Sequence, residues 1–206
     1  MRFGEIRVAM YKTGITLIDL GVFMVRHNCE FHRPGKFQSG NIRVEMTVRM
    51  LSKKSFEPYT VCDHTMVKSK ALMVSPKIVE KHRIDSSCVI LPVASEFDGA
   101  YRYLGDDDVP VLTMSNTCYI RCPNEKVAIT LQSWLSTPAI VNAIREEGVF
   151  SSSDIKTALQ SVPIMGKLQS DDVDTRIVNA GKRLLSLARE VKELRSAKGK
   201  MGYSIG

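Results

Sequence analysis

Residues Cys88 to Leu131 carry Val89-Ile-Leu-Pro-Val-Ala94, Val109-Pro-Val-Leu-Thr-Met114, Cys118-Tyr-Ile-Arg-Cys122 and Val127-Ala-Ile-Thr-Leu131, short apolar runs cut apart by Gly, Asp, Asn and Pro. Runs of this length, rich in β-branched and aromatic residues and interrupted at such intervals, read as antiparallel strands rather than helices. The core is therefore expected to be a sheet. Between the first two runs, the segment from Glu96 to Asp108 places a carboxylate, Asp98, just after an apolar strand, where it can cap a turn or pair with Arg102. The triplet Asp106-Asp107-Asp108 reads as an exposed hairpin turn.

Upstream, Arg2 to Met10 alternates charged and apolar residues as a half-buried strand does, and Ile15 to Val25 forms a second apolar segment with a bend at Gly21. Asn41 to Met50 alternates most regularly, with Ile42, Val44, Met46, Val48 and Met50 on one face and Arg43, Glu45, Thr47 and Arg49 on the other. Tyr59 to Cys62 and Thr65 to Val74 add two more strands, and Pro76 to Ile84 a short helix. Eight to ten short strands without long intervening helices favour an antiparallel sandwich or jelly-roll-like body over a βαβ fold.

Downstream of Trp134 the pattern becomes helical. Pro138 opens a helix that Gly148 stops, and Ser153 is placed to cap another, from Asp154 to Ser161. Asp171, Asp172 and Asp174 open a last helix, with Lys192, Arg195 and Lys198 near its end, signs that suit the helix dipole. Along it Val173, Ile177, Ala180, Leu184, Leu187, Val191 and Leu194 recur at alternating intervals of four and three, a heptad seam. Such a seam suits a coiled coil between copies or an amphipathic helix docked on the sheet. The expected class is mainly β with a helical C-terminal region, α+β overall: a β-rich core over residues 1–135, short packed helices over 136–170, and an amphipathic helix with its tail over 171–206.

Charge is unevenly spread. Residues 1–70 hold 12 Lys and Arg against 6 Asp and Glu, residues 71–175 hold 9 against 14, and residues 176–206 hold 8 against 2. Basic ends around an acidic middle favour contact with a polyanion, nucleic acid or an anionic membrane face, because positioned cations displace condensed counterions. Rings interleave with cations around 26–36 and 49–59, the mixture that single-stranded nucleic acid binding uses. Arg26, Arg33, Lys36, Arg43, Arg49, Lys53 and Lys54 are the expected nucleic-acid face. Val173, Ile177, Leu184, Leu187, Val191 and Leu194 are the expected oligomerisation residues of a homo-oligomer.

Five cysteines at no repeated spacing argue against a disulfide framework and for a reducing compartment. Glu5 and Arg7 interrupt any signal-peptide shape, and the longest apolar stretch, Ile15 to Val25, is far short of a membrane span. His27, Cys29, His32, Cys62 and His64 could supply metal ligands, but paired Cys-x-x-Cys spacing is missing, and no metal or other cofactor is expected. No nucleophile elbow, phosphate-binding loop or dinucleotide fingerprint is present, so the reading is a non-enzymatic protein.

Two stretches carry a family resemblance. Val89 to Asp98, with Arg102 after it, is similar to the strand leading to the characteristic aspartate of the plant-virus movement proteins of the 30K superfamily, although the family's basic residue follows its aspartate more closely. Ser153 to Leu168 resembles the amphipathic helix and Val-Pro segment that some members carry after the core. The resemblance implies a non-enzymatic protein that binds single-stranded RNA or ribonucleoprotein, self-associates, contacts membranes peripherally and carries a viral genome through plasmodesmata of the host cell, with Asp98 critical for fold and transport. The rival expectation is a viral matrix or coat protein in which the same charges grip nucleocapsid and anionic membrane.

Overall fold

The computed structural model describes residues 2–33, 42–57, 60–93, 97–105 and 108–165, together with helical positions 183, 186, 187, 189–191, 193, 194 and 197. Its elements are α1 (Phe3–Lys12), β1 (Leu17–Asp19), α2 (Leu20–Arg26), β2 (Glu30–His32), β3 (Val44–Leu51), α3 (Lys53–Phe56), β4 (Val61–Cys62), β5 (Ser69–Val74), α4 (Pro76–His82), β6 (Cys88–Pro92), β7 (Tyr101–Tyr103), β8 (Val111–Thr113), β9 (Thr117–Arg121), α5 (Glu125–Leu135), α6 (Pro138–Glu146), a 3-10 turn at Val149–Ser151, α7 (Ile155–Gln160) and β10 (Pro163–Met165). The fold is α+β.

Its strands form a five-stranded sheet ordered β2-β9-β6-β7-β4, a three-stranded sheet ordered β5-β3-β8 and the pair β1-β10. Sequence pattern pointed to antiparallel pairing throughout, and most neighbours obey. Two do not: β3 runs parallel to β8, with Arg49 opposite Val111, and β4 runs parallel to β7, with Val61 opposite Arg102. Side-chain alternation is the same for both directions, so the pattern cannot distinguish them.

Strand β6 organises the molecule as its apolar run suggests, and all five of its residues are buried. Alternation sends Val89 and Leu91 to one face, where they join Cys118 and Ile120 of β9 under α2, α5, α6 and α7. On the other face Cys88 and Ile90 meet Leu51, Phe56, Tyr101, Tyr103 and Tyr119. Burying one such aliphatic side chain is worth about 1.5–3 kcal/mol, so this doubly covered strand is a principal source of stability.

Three segments expected as strands are helical wholly or in part. In residues 2–10 the apolar side chains that reach the core are Phe3, Ile6 and Met10, spaced three and four apart, so a helix buries them together. Glu5 accepts from the Arg2 backbone N–H at 2.9 Å and secures the start of α1. In residues 15–25 only Leu17–Asp19 is extended; Leu20, Phe23 and Met24 then face the core from α2. The run Val127 to Leu131 lies within α5, where the Asn124 side chain accepts from Val127 N at 3.0 Å and Val127, Ala128, Leu131 and Leu135 are buried at helical spacing. A short continuous apolar run has no period of its own; the cap selects the helix.

The helices expected at Pro76, Pro138 and Asp154 are all present. The cap of α7 is Asp154 rather than Ser153: its carboxylate accepts from Thr157 N at 3.2 Å. Gly148 ends α6 at φ 61°, the left-handed conformation that favours glycine. Among the described residues no single helix is long and apolar enough to cross a membrane.

Candidate nucleic-acid interface

Helix α4 ends in Lys81 and His82, followed by Arg83, basic residues where the helix dipole favours positive charge. From β9, the Arg121 guanidinium reaches this end: Nη2 donates to the Arg83 carbonyl at 2.6 Å and to the Lys81 carbonyl at 3.4 Å. Arg121 therefore satisfies carbonyls that a helix leaves without an intrahelical partner and ties α4 to the five-stranded sheet.

Beside Arg121 on the ladder, His32 of β2 pairs with Tyr119 of β9. The two rings stack at 4.9 Å with an interplanar angle of 15°. His82 meets His32 edge-on at 6.0 Å, and its Nδ1 lies 3.1 Å from the Tyr119 hydroxyl. His32 Nε2 is 3.1 Å from Glu30 Oε2. Three elements thus bring two imidazoles and the Arg121 guanidinium around one buried tyrosine, with the Lys81 ammonium close enough to act on both imidazoles.

Burial pushes the Tyr119 phenol up to about 12. It also pushes both imidazoles below the ordinary histidine value, His32 with further depression from Arg121 and Lys81 against the pull of Glu30, and His82 from His32, Lys81 and Arg121. At neutral pH the imidazoles are accordingly uncharged, and Lys81 and Arg121 are the fixed cations. A bound anion would raise the histidine values and be held more tightly as pH falls.

The expected nucleic-acid residues divide between sheets. Arg26 is exposed in the last turn of α2, and Arg33, just after β2, is exposed and sends its field to Cys118 and Asp154. Arg43 is exposed before β3, and Lys54 is exposed on α3. Arg49 is half-buried, with Nε donating to the Val67 carbonyl at 3.2 Å, and Lys53 pairs with Asp98 Oδ2 at 3.2 Å. Lys36 lies outside the described residues. Arg33 follows His32 in the chain, but its charge acts on Cys118 and Asp154, on the opposite face of the sheet from Tyr119. Sequence reasoning missed Lys81, His82, Arg83 and Arg121; the available signal was the run Lys81-His82-Arg83 directly after a Pro-initiated helix.

Asp98 does not pair with Arg102. Besides Lys53 it accepts from the Tyr101 hydroxyl at 2.7 Å. Arg102 is 3% exposed and points elsewhere, donating through Nε and Nη2 to the Ser86 carbonyl at 3.2 and 2.7 Å and through Nη2 to Glu125 at 2.7 Å. Asp98 and Arg102 sit four residues apart on either side of β7's start, so strand geometry separates them.

Among the cysteine and histidine residues considered as ligands, His27 lies against Phe23 at 4.3 Å, His32 stacks on Tyr119 and Cys62 is fully buried in the core. Among the described residues no three His, Cys, Asp or Glu side chains converge on a metal-sized space.

The trailing helix touches the body through Arg189, which donates to the buried Asp63 carboxylate, Nε at 2.8 Å from Oδ2. Within the heptad Arg189 falls opposite the seam. Leu187, Val191 and Leu194 are exposed at 48%, 37% and 63%. The seam positions Val173, Ile177 and Leu184 lie outside the described residues.

No family model and no curated protein matches the chain. Among solved structures it is similar to the HsdS subunit from Thermoanaerobacter tengcongensis, with a TM-score of 0.46 and 14% identity, over 89% of this chain and 40% of that one. The chain thus spans less than half the length of that structure.

Proposed function

We propose that this protein binds nucleic acid through the edge built by β2, the end of α4 and β9, and works as an assembly of copies joined along its trailing helix. The observation that carries the binding reading is the convergence of Lys81 and Arg121 with His32 and His82 around Tyr119. Cations at a sheet edge match a phosphate backbone without requiring a base-specific contact. Self-association is supported by the way the helix docks. Contact through Arg189 leaves the apolar seam at Leu187, Val191 and Leu194 in solvent, where a helix docked by its apolar face would have buried it.

Fluorescence anisotropy with a labelled single-stranded oligonucleotide and a duplex of the same sequence tests the binding reading. The logarithm of affinity should fall linearly with log salt, and Lys81→Glu should weaken binding several-fold and flatten the salt dependence while leaving the melting temperature in place. Unchanged binding in this variant would remove the edge as the interface. Association with phosphatidylserine vesicles in place of either oligonucleotide would favour the matrix or coat reading.

Genome transport, as implied by the movement-protein resemblance, is the more specific form of the proposal. Its support on this chain is the double engagement of Asp98 by Lys53 and Tyr101. Expressed alone in plant cells, a transport protein should collect at cell junctions, and diffuse cytoplasmic distribution would leave nucleic-acid binding without the transport role.

A further inference from the structure

Cys29 and Cys122 are opposed across two antiparallel strands. The ladder between β2 and β9 pairs Glu30 with Arg121 and Phe31 with Ile120, and one step further along it sets Cys29 opposite Cys122. Their backbone groups do not bond to each other: Cys29 N donates to Met24 O at 2.8 Å, and Cys122 N donates to Ser87 O at 3.0 Å. The pair therefore occupies a non-hydrogen-bonded site, where opposed Cα atoms stand about 4.5 Å apart and side chains approach most closely. That separation falls inside the range of about 4.4–6.8 Å that a disulfide spans without moving the backbone.

The position is also built rather than incidental. Helix α2 ends in a left-handed residue, Asn28 at φ 51°, whose N–H donates to Val25 O at 3.3 Å while that of Cys29 returns to Met24 O. This Schellman arrangement turns the chain sharply from α2 into β2 and delivers the Cys29 side chain to Cys122.

We propose that Cys29 and Cys122 form a reversible disulfide, a modification site at which the chain exchanges with small-molecule disulfides. The Cys29 sulfur attacks one sulfur of a low-molecular-weight disulfide, forming a mixed disulfide and releasing one thiolate. Cys122 then loses its proton and attacks the Cys29 sulfur, releasing the second thiol. The protein loses two hydrogens and the small disulfide gains them, so electrons and protons balance.

The chemistry of the two thiols divides these roles. The neighbouring Cys122 thiol holds the Cys29 thiol, which donates to the His27 carbonyl at 3.8 Å, below its ordinary value, and Cys29 together with burial drives Cys122 upward. Cys29 is half-buried and reachable, whereas Cys122 is buried. Burial raises the other thiols too, Cys88 to about 11 and Cys118 to about 12, which makes them poor nucleophiles at neutral pH. The bond would clamp the edge strand β2 to β9.

Oxidised glutathione, titrated against the full chain under native conditions, tests this. The number of thiols titrating after denaturation should fall from five to three, and peptide mapping should recover the segments containing Cys29 and Cys122 joined. Dithiothreitol should restore all five. The variant Cys122→Ser should stop at a glutathione adduct on Cys29, and Cys29→Ser should take up no glutathione. Five thiols persisting in the wild-type chain, a Cys29 adduct that never resolves, or a crosslink mapping to another pair would overturn the proposal, and none of these outcomes depends on nucleic-acid binding.

Discussion

The Asp63 carboxylate, buried at the end of β4, is closed by Arg189 from the trailing helix, 126 residues further along the chain. Burial alone would push this carboxyl up, but the Thr65 hydroxyl and backbone N–H, at 2.7 and 2.9 Å, and the Arg189 guanidinium outweigh it and hold it below the usual aspartate value. Asp63 is thus ionised, and its partner is the only described tie of this kind between helix and body.

Removing that partner leaves a buried charge with Thr65 alone. Arg189→Ala should lower unfolding free energy by about 1–3 kcal/mol, the cost of an incompletely satisfied buried group. Because the folded value of Asp63 is depressed, its stabilisation is present above the unfolded value of about 3.9 and is lost as pH falls through the folded value. Urea midpoints measured from pH 7 downward should converge for the two proteins at the acid end. A constant gap across that range would show that Arg189 acts through packing instead.

The two imidazoles at Tyr119 give the same direction of pH dependence, at a higher pH. Both are depressed, so the unfolded chain takes up protons first, and stability should decline as pH drops below the unfolded value of about 6.5. His32→Phe keeps a ring on Tyr119 while deleting one titration. Its thermal midpoint should change less between pH 7 and pH 5 than that of the wild-type chain; equal slopes would place the titration elsewhere.

Arg102 provides the sharpest stability prediction. It is buried, charged and shared between Ser86 O and Glu125. Truncation by Arg102→Ala should cost about 3–5 kcal/mol, because the carbonyl and the carboxylate both lose their donor. Denaturant titration reads this directly, and Glu125→Gln, which keeps an acceptor on a half-exposed side chain, should cost much less.

The exposed seam predicts association. Light scattering coupled to size exclusion should give a mass above one chain for the wild-type protein, and Leu187→Asp with Leu194→Asp should return it to one chain without loss of thermal stability. A monomeric wild-type chain at micromolar concentration would remove the assembly role.

How far the sequence reveals this fold depends on which signal a segment carries. The regular alternation of Val44 to Leu51 identifies β3, since period two has one structural solution over that length. Pro76, Pro138 and the acidic cap Asp154 locate helix starts because fixed φ and a side-chain acceptor act locally. The misread segments are those in which local pattern serves two structures equally. Arg2 to Met10 shows alternation and helical spacing at once, and only the core reveals that Phe3, Ile6 and Met10 belong on one face. The candidate interface was harder still. Lys81, Arg83 and Arg121 become neighbours through the docking of α4 on β9, a tertiary event without a local signature. Cys29 and Cys122 are likewise 93 positions apart in sequence and adjacent only by strand register.

The pairing of Leu17 with Met165 and Asp19 with Pro163 joins opposite ends of the described body. During synthesis the first strand must therefore wait, its ladder unfilled, while nearly the whole body leaves the ribosome. Until residue 165 arrives, Ile18 and Leu20 have no lid from Ile164 and Val162, and the early chain presents a sticky, half-built flank. Such a topology ties completion of this flank to the arrival of β10 and makes translation products that stop before it candidates for clearance rather than function.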